Sequence, residues 1–129
     1  MTVYLSLEQV LALHRAQIDE YGGARGLREK GGLESALARP QMTFGGEDLH
    51  PGVADKAAAL WHSLVINHPF MDGNKRIGAM VAELFLGLNG VDLHSMDDEL
   101  VAATLATARG EMSAEALAIW IRQRSRESD

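Results

Sequence analysis

A chain of 129 residues with 47% hydrophobic content is long enough to bury one core, and we read it as a single domain over 1–129. Twelve Lys plus Arg against eighteen Asp plus Glu give a net charge of -6, which argues against a broad nucleic-acid or anionic-membrane surface. The absence of cysteine excludes disulfides, a thiol nucleophile and thiolate metal sites, and suits a reducing cytosol. Met1 to Leu5 lacks a basic start and a long apolar segment, and no run approaches the ~18 apolar residues of a membrane span. Neither signal peptide nor membrane anchor is expected, and the expected placement is cytoplasmic.

Helical period dominates the chain. Ser6 with Gln9 has the pattern of a capping box, and Leu7, Val10, Leu11, His14, Ile18 and Tyr21 follow i, i+3, i+4 spacing until Gly22-Gly23 stops the helix. His14 lies on that apolar stripe and is read as a hydrogen-bonded core histidine. A short helix from Leu33 to Ala38 precedes Pro40. Residues 41–52 hold Gly45, Gly46, Pro51 and Gly52, too broken for a helix, so Gln41 to Thr43 with Leu49 are expected to pair as a small hairpin or flap. Val53, Ala57, Leu60, Trp61, Leu64 and Val65 form one face of a helix that delivers His68 at its C-terminal end. Ile77, Met80, Val81, Leu84, Phe85 and Leu88 make the clearest amphipathic stripe, ended by Asn89-Gly90. Two more helices are predicted, Asp97 to Ala108 and Ser113 to about Arg124, and the charged end from Arg122 to Asp129 is expected to fray. The sum is an all-α domain, a compact bundle of about six helices with a flap around 41–52.

The chemistry concentrates in one run, His68-Pro69-Phe70-Met71-Asp72-Gly73-Asn74-Lys75-Arg76-Ile77-Gly78. Pro69 disfavours helical geometry at His68, and Asn74 is a good N-cap for the helix that follows. The free amides of Lys75, Arg76 and Ile77 would then face outward at a helix N-terminus, where backbone donors and the macrodipole attract an anion. Gly73 lets the backbone approach a phosphate. Lys75 and Arg76 add positive charge, Asp72 offers a hard oxygen for Mg²⁺, and His68 suits proton transfer near neutral pH. Phe70 reads as an anchor that pins the loop to the core. His50, His62 and His94 share no metal-ligand spacing.

His-Pro-Phe, two residues, Gly-Asn and a basic pair resemble the core motif of the Fic fold, and Lys75 after Asn74 gives the form that is similar to the Doc (death-on-curing) branch. Leu13-His14 with Tyr21-Gly22-Gly23, Gly32 to Pro40, and Phe44-Gly45-Gly46 sit in Doc-like order, so the resemblance covers almost the whole chain. It implies the Fic fold and a toxin of a type II toxin–antitoxin system. The implied activity is a protein kinase that transfers the γ-phosphate of ATP to a Thr of elongation factor Tu and arrests translation. His68 would be the base, Lys75 and Arg76 would offset developing charge, Gly73, Asn74, Lys75 and Arg76 would hold the nucleotide, and Asp72 would hold Mg²⁺. The flap would bind the target's extended backbone by β-augmentation.

In the wider family a helix bearing Ser or Thr, three residues, Glu, then Gly or Asn restrains the site. Thr43 to Glu47 followed by Asp48, and Ser95 to Glu99 followed by Leu100, do not complete that pattern, so restraint is expected in trans from a Phd-type antitoxin. The alternatives are a Fic-type protein adenylyltransferase, separated by Lys75, and a non-catalytic nucleotide-sensing regulator, which would have no need of His68. DNA binding through the last two helices is disfavoured because Asp97, Asp98, Glu99, Glu111 and Glu115 carry the wrong sign there.

Overall fold

The computed structural model describes residues 1–127; Ser128 and Asp129, the last two of the stretch expected to fray, lie outside the described residues. Local signals set the helix bounds. Helix α1 runs Leu7–Tyr21, with the Ser6 hydroxyl accepting from the Gln9 amide at 3.1 Å and the Gln9 carboxamide accepting from the Ser6 amide at 2.8 Å. Gly22, at φ 86, ends it. Helix α2 spans Lys30–Ala38, three residues longer at its start than the Leu33 boundary predicted. A 3-10 turn, Arg39–Gln41, follows around Pro40.

The flap is present with a shifted register. Strands β1 (Thr43–Phe44) and β2 (Glu47–Asp48) pair antiparallel, so Gln41 belongs to the preceding turn instead of the hairpin. Gly45 and Gly46 both have positive φ, 61 and 83, as a two-residue hairpin turn requires, and the Leu49 amide donates to the Met42 carbonyl at 2.9 Å beyond the strands. A buried ammonium fastens the flap to the body. Lys56, only 2% exposed, donates to the Asp48 carboxylate at 3.1 Å and to the His50 carbonyl. Two acceptors are what make that burial tolerable.

Helix α3 (Val53–Asn67) is the axis of the bundle: Ala57, Ala58, Leu60, Trp61, Leu64 and Val65 are all buried. Helix α4 (Asn74–Leu88) lies against one side of it, where Gly78 allows close approach; a Cβ there would stand 3.1 Å from Val65 Cγ2 and 3.3 Å from Trp61 Cδ1. Helix α5 spans Asp97–Ala108. Helix α6 (Ala114–Arg124), capped by Ser113, also packs on α3 and sets Trp120 edge-on to Trp61 at 5.5 Å. No helix among the described residues is long and apolar enough to cross a membrane.

The tail departs from expectation. Strand β3 (Val91–Leu93) pairs antiparallel with β4 (Ser125–Glu127), and the His94 amide donates to the Arg124 carbonyl at 2.6 Å. Three-residue strands carry no readable period; each exists because the other fills its hydrogen bonds.

Two glycines on α4 separate packing from propensity. Gly78→Val should destabilise the protein by ~1–3 kcal/mol in urea unfolding because the added methyls meet Val65 and Trp61. Gly87→Ala, with nothing within 4 Å of the new Cβ, should stabilise it by about 0.5–1 kcal/mol.

Candidate functional site

The loop between α3 and α4 is held from below by one aromatic ring. Phe70 is 1% exposed and stacks on His14 with ring centroids 3.7 Å apart and planes within 9°. His14, as expected, is a core histidine; a carbonyl can only accept, so its Nε2–H donates to the Asp72 carbonyl at 2.8 Å. From α4, Asn74 closes the loop: its Oδ1 accepts from the Phe70 amide at 2.9 Å and its Nδ2 donates to the Phe70 carbonyl at 3.0 Å.

That engagement corrects the expected cap. With its carboxamide spent on Phe70, Asn74 becomes the first helical residue and Gly73, at φ 76 and ψ 17, takes the cap position. The Ile77 amide then donates to the Gly73 carbonyl at 2.9 Å, so the outward first-turn amides are those of Asn74, Lys75 and Arg76, one residue earlier than predicted. Gly73 is required twice over. Its φ is left-handed, and a Cβ there would lie 2.7 Å from Nε2 of the buried Gln17.

Asp72 completes the turn. Its Oδ1 accepts from the Gly73 amide at 3.0 Å and its Oδ2 from the Ala24 amide at 3.2 Å, tying α1's end to the motif. Each oxygen keeps a lone pair, and the residue is solvent-exposed, so the carboxylate remains able to ligate a hard cation. Among the described residues no three His, Asp or Glu converge on one point, so such an ion would need its remaining ligands from phosphate and water.

A cleft of about 900 Å³ opens above this helix terminus. Tyr21, Gly23, Asp72, Gly73, Asn74, Lys75 and Arg76 line one wall, and Glu83, Asp97, Leu100, Val101 and Thr104 another. The Arg76 guanidinium lies over the Tyr21 ring, 4.5 Å from its centroid, which fixes the cation at the cleft's edge. In the sequence Tyr21 ended a helical stripe and belonged to the Doc-like Tyr21-Gly22-Gly23 stretch, neither of which placed it at the site. Lys75 is exposed.

His68 stands apart from the cleft lining and is exposed. It is the one non-glycine residue with positive φ among those described, φ 47 and ψ 55, immediately after α3. Its Nδ1 lies 3.2 Å from the Ile66 carbonyl, which can only accept; the proton therefore sits on Nδ1 in that contact and Nε2 is left free as the basic nitrogen.

The acidic wall has its own electrostatics. Partial burial first, and the neighbouring Asp97 second, raise the Glu83 carboxyl above its ordinary value. Neither glutamate of the two incomplete restraint patterns turns toward Arg76: Glu47 sits in the flap, and Glu99 accepts from the Met96 amide at 3.1 Å and from Arg124 at 3.3 Å.

Comparison with known proteins places the motif within a family. Residues 4–86 match the sequence model of the Fic/DOC family. A protein named Toxin Doc from Mycolicibacterium smegmatis is 47% identical over 93 residues, covering 72% of this chain and 69% of that protein. A protein named Protein kinase doc from Escherichia phage P1 is 32% identical over 120 residues, covering 93% of this chain and 94% of that protein.

Glu83 supplies a pH test. A carboxyl whose folded value is raised is destabilising when ionised, so Glu83→Gln should raise the melting temperature at neutral pH. The sign follows because the folded state holds the proton more tightly than the unfolded chain. As pH falls through the raised value the wild type recovers, and below the ordinary glutamate range the two melting curves should coincide. A gap that persists in acid would mean that the amide acts by packing and not by charge.

Proposed function

The chain belongs to the Fic/DOC family, and on that premise we propose that it is a toxin-type protein kinase that transfers the γ-phosphate of ATP to a Thr hydroxyl of elongation factor Tu. The observation that carries the reading is the cleft wall itself. Asp72 to Arg76 run consecutively along it and present a carboxylate, a left-handed glycine, three first-turn amides and two cations to one volume. That arrangement supports an anion site for a nucleotide's phosphates at this wall, with the acidic Glu83 and Asp97 across from it.

Phosphoryl transfer asks little covalent chemistry of a protein, so positioning and charge supply most of the barrier reduction. The amides of Asn74, Lys75 and Arg76 bind phosphate oxygens; the Asn74 carboxamide, engaged by Phe70, fixes the loop that presents them. Asp72 would hold Mg²⁺, which when bound neutralises phosphate charge. His68 Nε2 takes the proton of the Thr hydroxyl as its oxygen bonds to the γ-phosphorus, the bond to the bridging oxygen breaks, and ADP leaves. Lys75 and Arg76 offset the charge that develops. The long side chain of Lys75 supports γ- over α-phosphate transfer, because it fills space and adds charge where the phosphates lie, and a relative named a protein kinase supports the same direction. The exposed edges of the flap would take the target's extended backbone. Restraint would come in trans, from a Phd-type antitoxin whose amphipathic helix orders on binding.

Intact-mass analysis of elongation factor Tu after incubation with this protein and Mg²⁺-ATP should give a phosphate-sized increment. His68→Ala should slow its appearance by ~10²- to 10⁴-fold while leaving nucleotide binding nearly intact. An AMP-sized increment would make the protein an adenylyltransferase instead, and equal modification by His68→Ala would remove His68 from the mechanism.

A further inference from the structure

Pro69 disfavours the helical region at His68 and favours extended backbone, yet His68 is left-handed, at φ 47 and ψ 55. The left-handed region is disfavoured for a residue with a Cβ by roughly 1–2 kcal/mol, so something outside the turn has to select it. Nothing in the motif does so. The selection comes from a segment 40 residues earlier.

Three successive carbonyls at the end of α3 accept hydrogen bonds from a single residue. Arg28 donates from Nε to the His68 carbonyl at 2.9 Å, from a terminal guanidinium nitrogen to the Asn67 carbonyl at 3.3 Å, and from its backbone amide to the Pro69 carbonyl at 2.8 Å. Its neighbours reinforce the contact. The Glu29 amide also donates to Pro69 at 2.9 Å, Leu27 bridges Phe70 antiparallel, and the Met71 amide donates to the Gly26 carbonyl at 3.0 Å. Residues 26–29 thus lie along the motif loop, joined to it by a single β-bridge, with one guanidinium over the peptide groups on either side of the His68 Cα. An extended His68 would turn its carbonyl away from that guanidinium, because ψ sets where the carbonyl points.

We propose that Arg28 is a positioning residue that holds His68 in the left-handed conformation, and thereby sets where its imidazole stands relative to the cleft. It is not among the residues that line the cleft; it acts through the carbonyls of residues 67 to 69. The inference rests on the reading of His68 as the base. A misplacement of about 1 Å can slow a reaction by up to ~10²-fold, which sets the scale of the effect.

The test is a double-mutant cycle with a structural readout beside it. Arg28→Ala should lower the rate of target modification at saturating Mg²⁺-ATP by roughly 10- to 100-fold with the KM for ATP within about twofold. Arg28→Lys, which can reach one carbonyl but not two, should fall between it and the wild type. In a His68→Ala background, Arg28→Ala should produce no further loss, because its only route to the chemistry is gone. Losses that multiply in the double variant, or an Arg28→Ala enzyme as fast as wild type, would overturn the proposal. If His68→Ala is itself fully active, it is the assignment of the base that fails, and a measurement free of activity decides the rest. The intraresidue amide–Hα NOE of His68, strong at positive φ because the two protons then come closest, reports its conformation in the protein without nucleotide. It should weaken in Arg28→Ala, and an NOE as strong as in the wild type would overturn the proposal on its own. Arg28 is exposed, so both single variants are expected to fold.

Discussion

The fold and its site both depend on the burial of Phe70. An aromatic ring in a loop between two helices would ordinarily add mobility; here it is sunk in the core, stacked on His14 and bonded through both of its peptide groups by Asn74. Burying such a side chain is worth roughly 1.5–3 kcal/mol, and two well-made hydrogen bonds add about 1 kcal/mol each. That is enough to hold the centre of the loop, with the left-handed Gly73 beside it, in one conformation. The residues on either side of Phe70 are therefore presented by a rigid base, which a site that works by positioning requires.

From that anchor the labour divides between backbone and side chain. The polar side chains that sequence alone would assign to a ligand are partly engaged in the loop: Asn74 with Phe70, Asp72 with the amides of Gly73 and Ala24, Arg76 against Tyr21. What the loop leaves for an anion is mostly backbone, three amides at the head of a fifteen-residue helix. Backbone donors cost no side-chain entropy to fix, and their partial charge is reinforced by the helix behind them. The opposite wall is acidic. Glu83 and Asp97 face the same cleft from α4 and α5, so its field is divided, positive at the motif and negative across from it.

The same economy appears at the flap. Two strands of two residues have too few hydrogen bonds to persist alone, and both are exposed. Their place on the molecule is set by Lys56, whose buried ammonium takes up the Asp48 carboxylate and the His50 carbonyl. Phe44, 83% exposed at the hairpin's turn, is left facing solvent. A rigid stalk with an uncommitted tip is what strand addition to an edge would use.

Much of this was written locally. The bounds of α1, α3, α5 and α6 follow from caps, glycines and a period of 3.6, and the run from His68 to Gly78 marks a turn and the helix N-terminus that follows it. His14 and Phe70 were legible as buried because each sits where a polar function would be wasted. Other features had no local signature. Residues 26–29 carry no motif, yet they bond along the loop; Asn74 looks like a cap until Phe70 claims its carboxamide; Lys56 looks like surface; β3 and β4 have no period to detect. Residues 27 and 70, 56 and 48, 91 and 127 meet only after the helices have packed, and a hydrogen bond leaves no mark on a sequence until its partner is known. The amino-acid order thus determined which helices form and where the residues of the candidate site are concentrated, because those depend on neighbours a turn away. The tertiary structure alone decided which groups the loop consumes, which remain free, and what holds His68 in its strained turn.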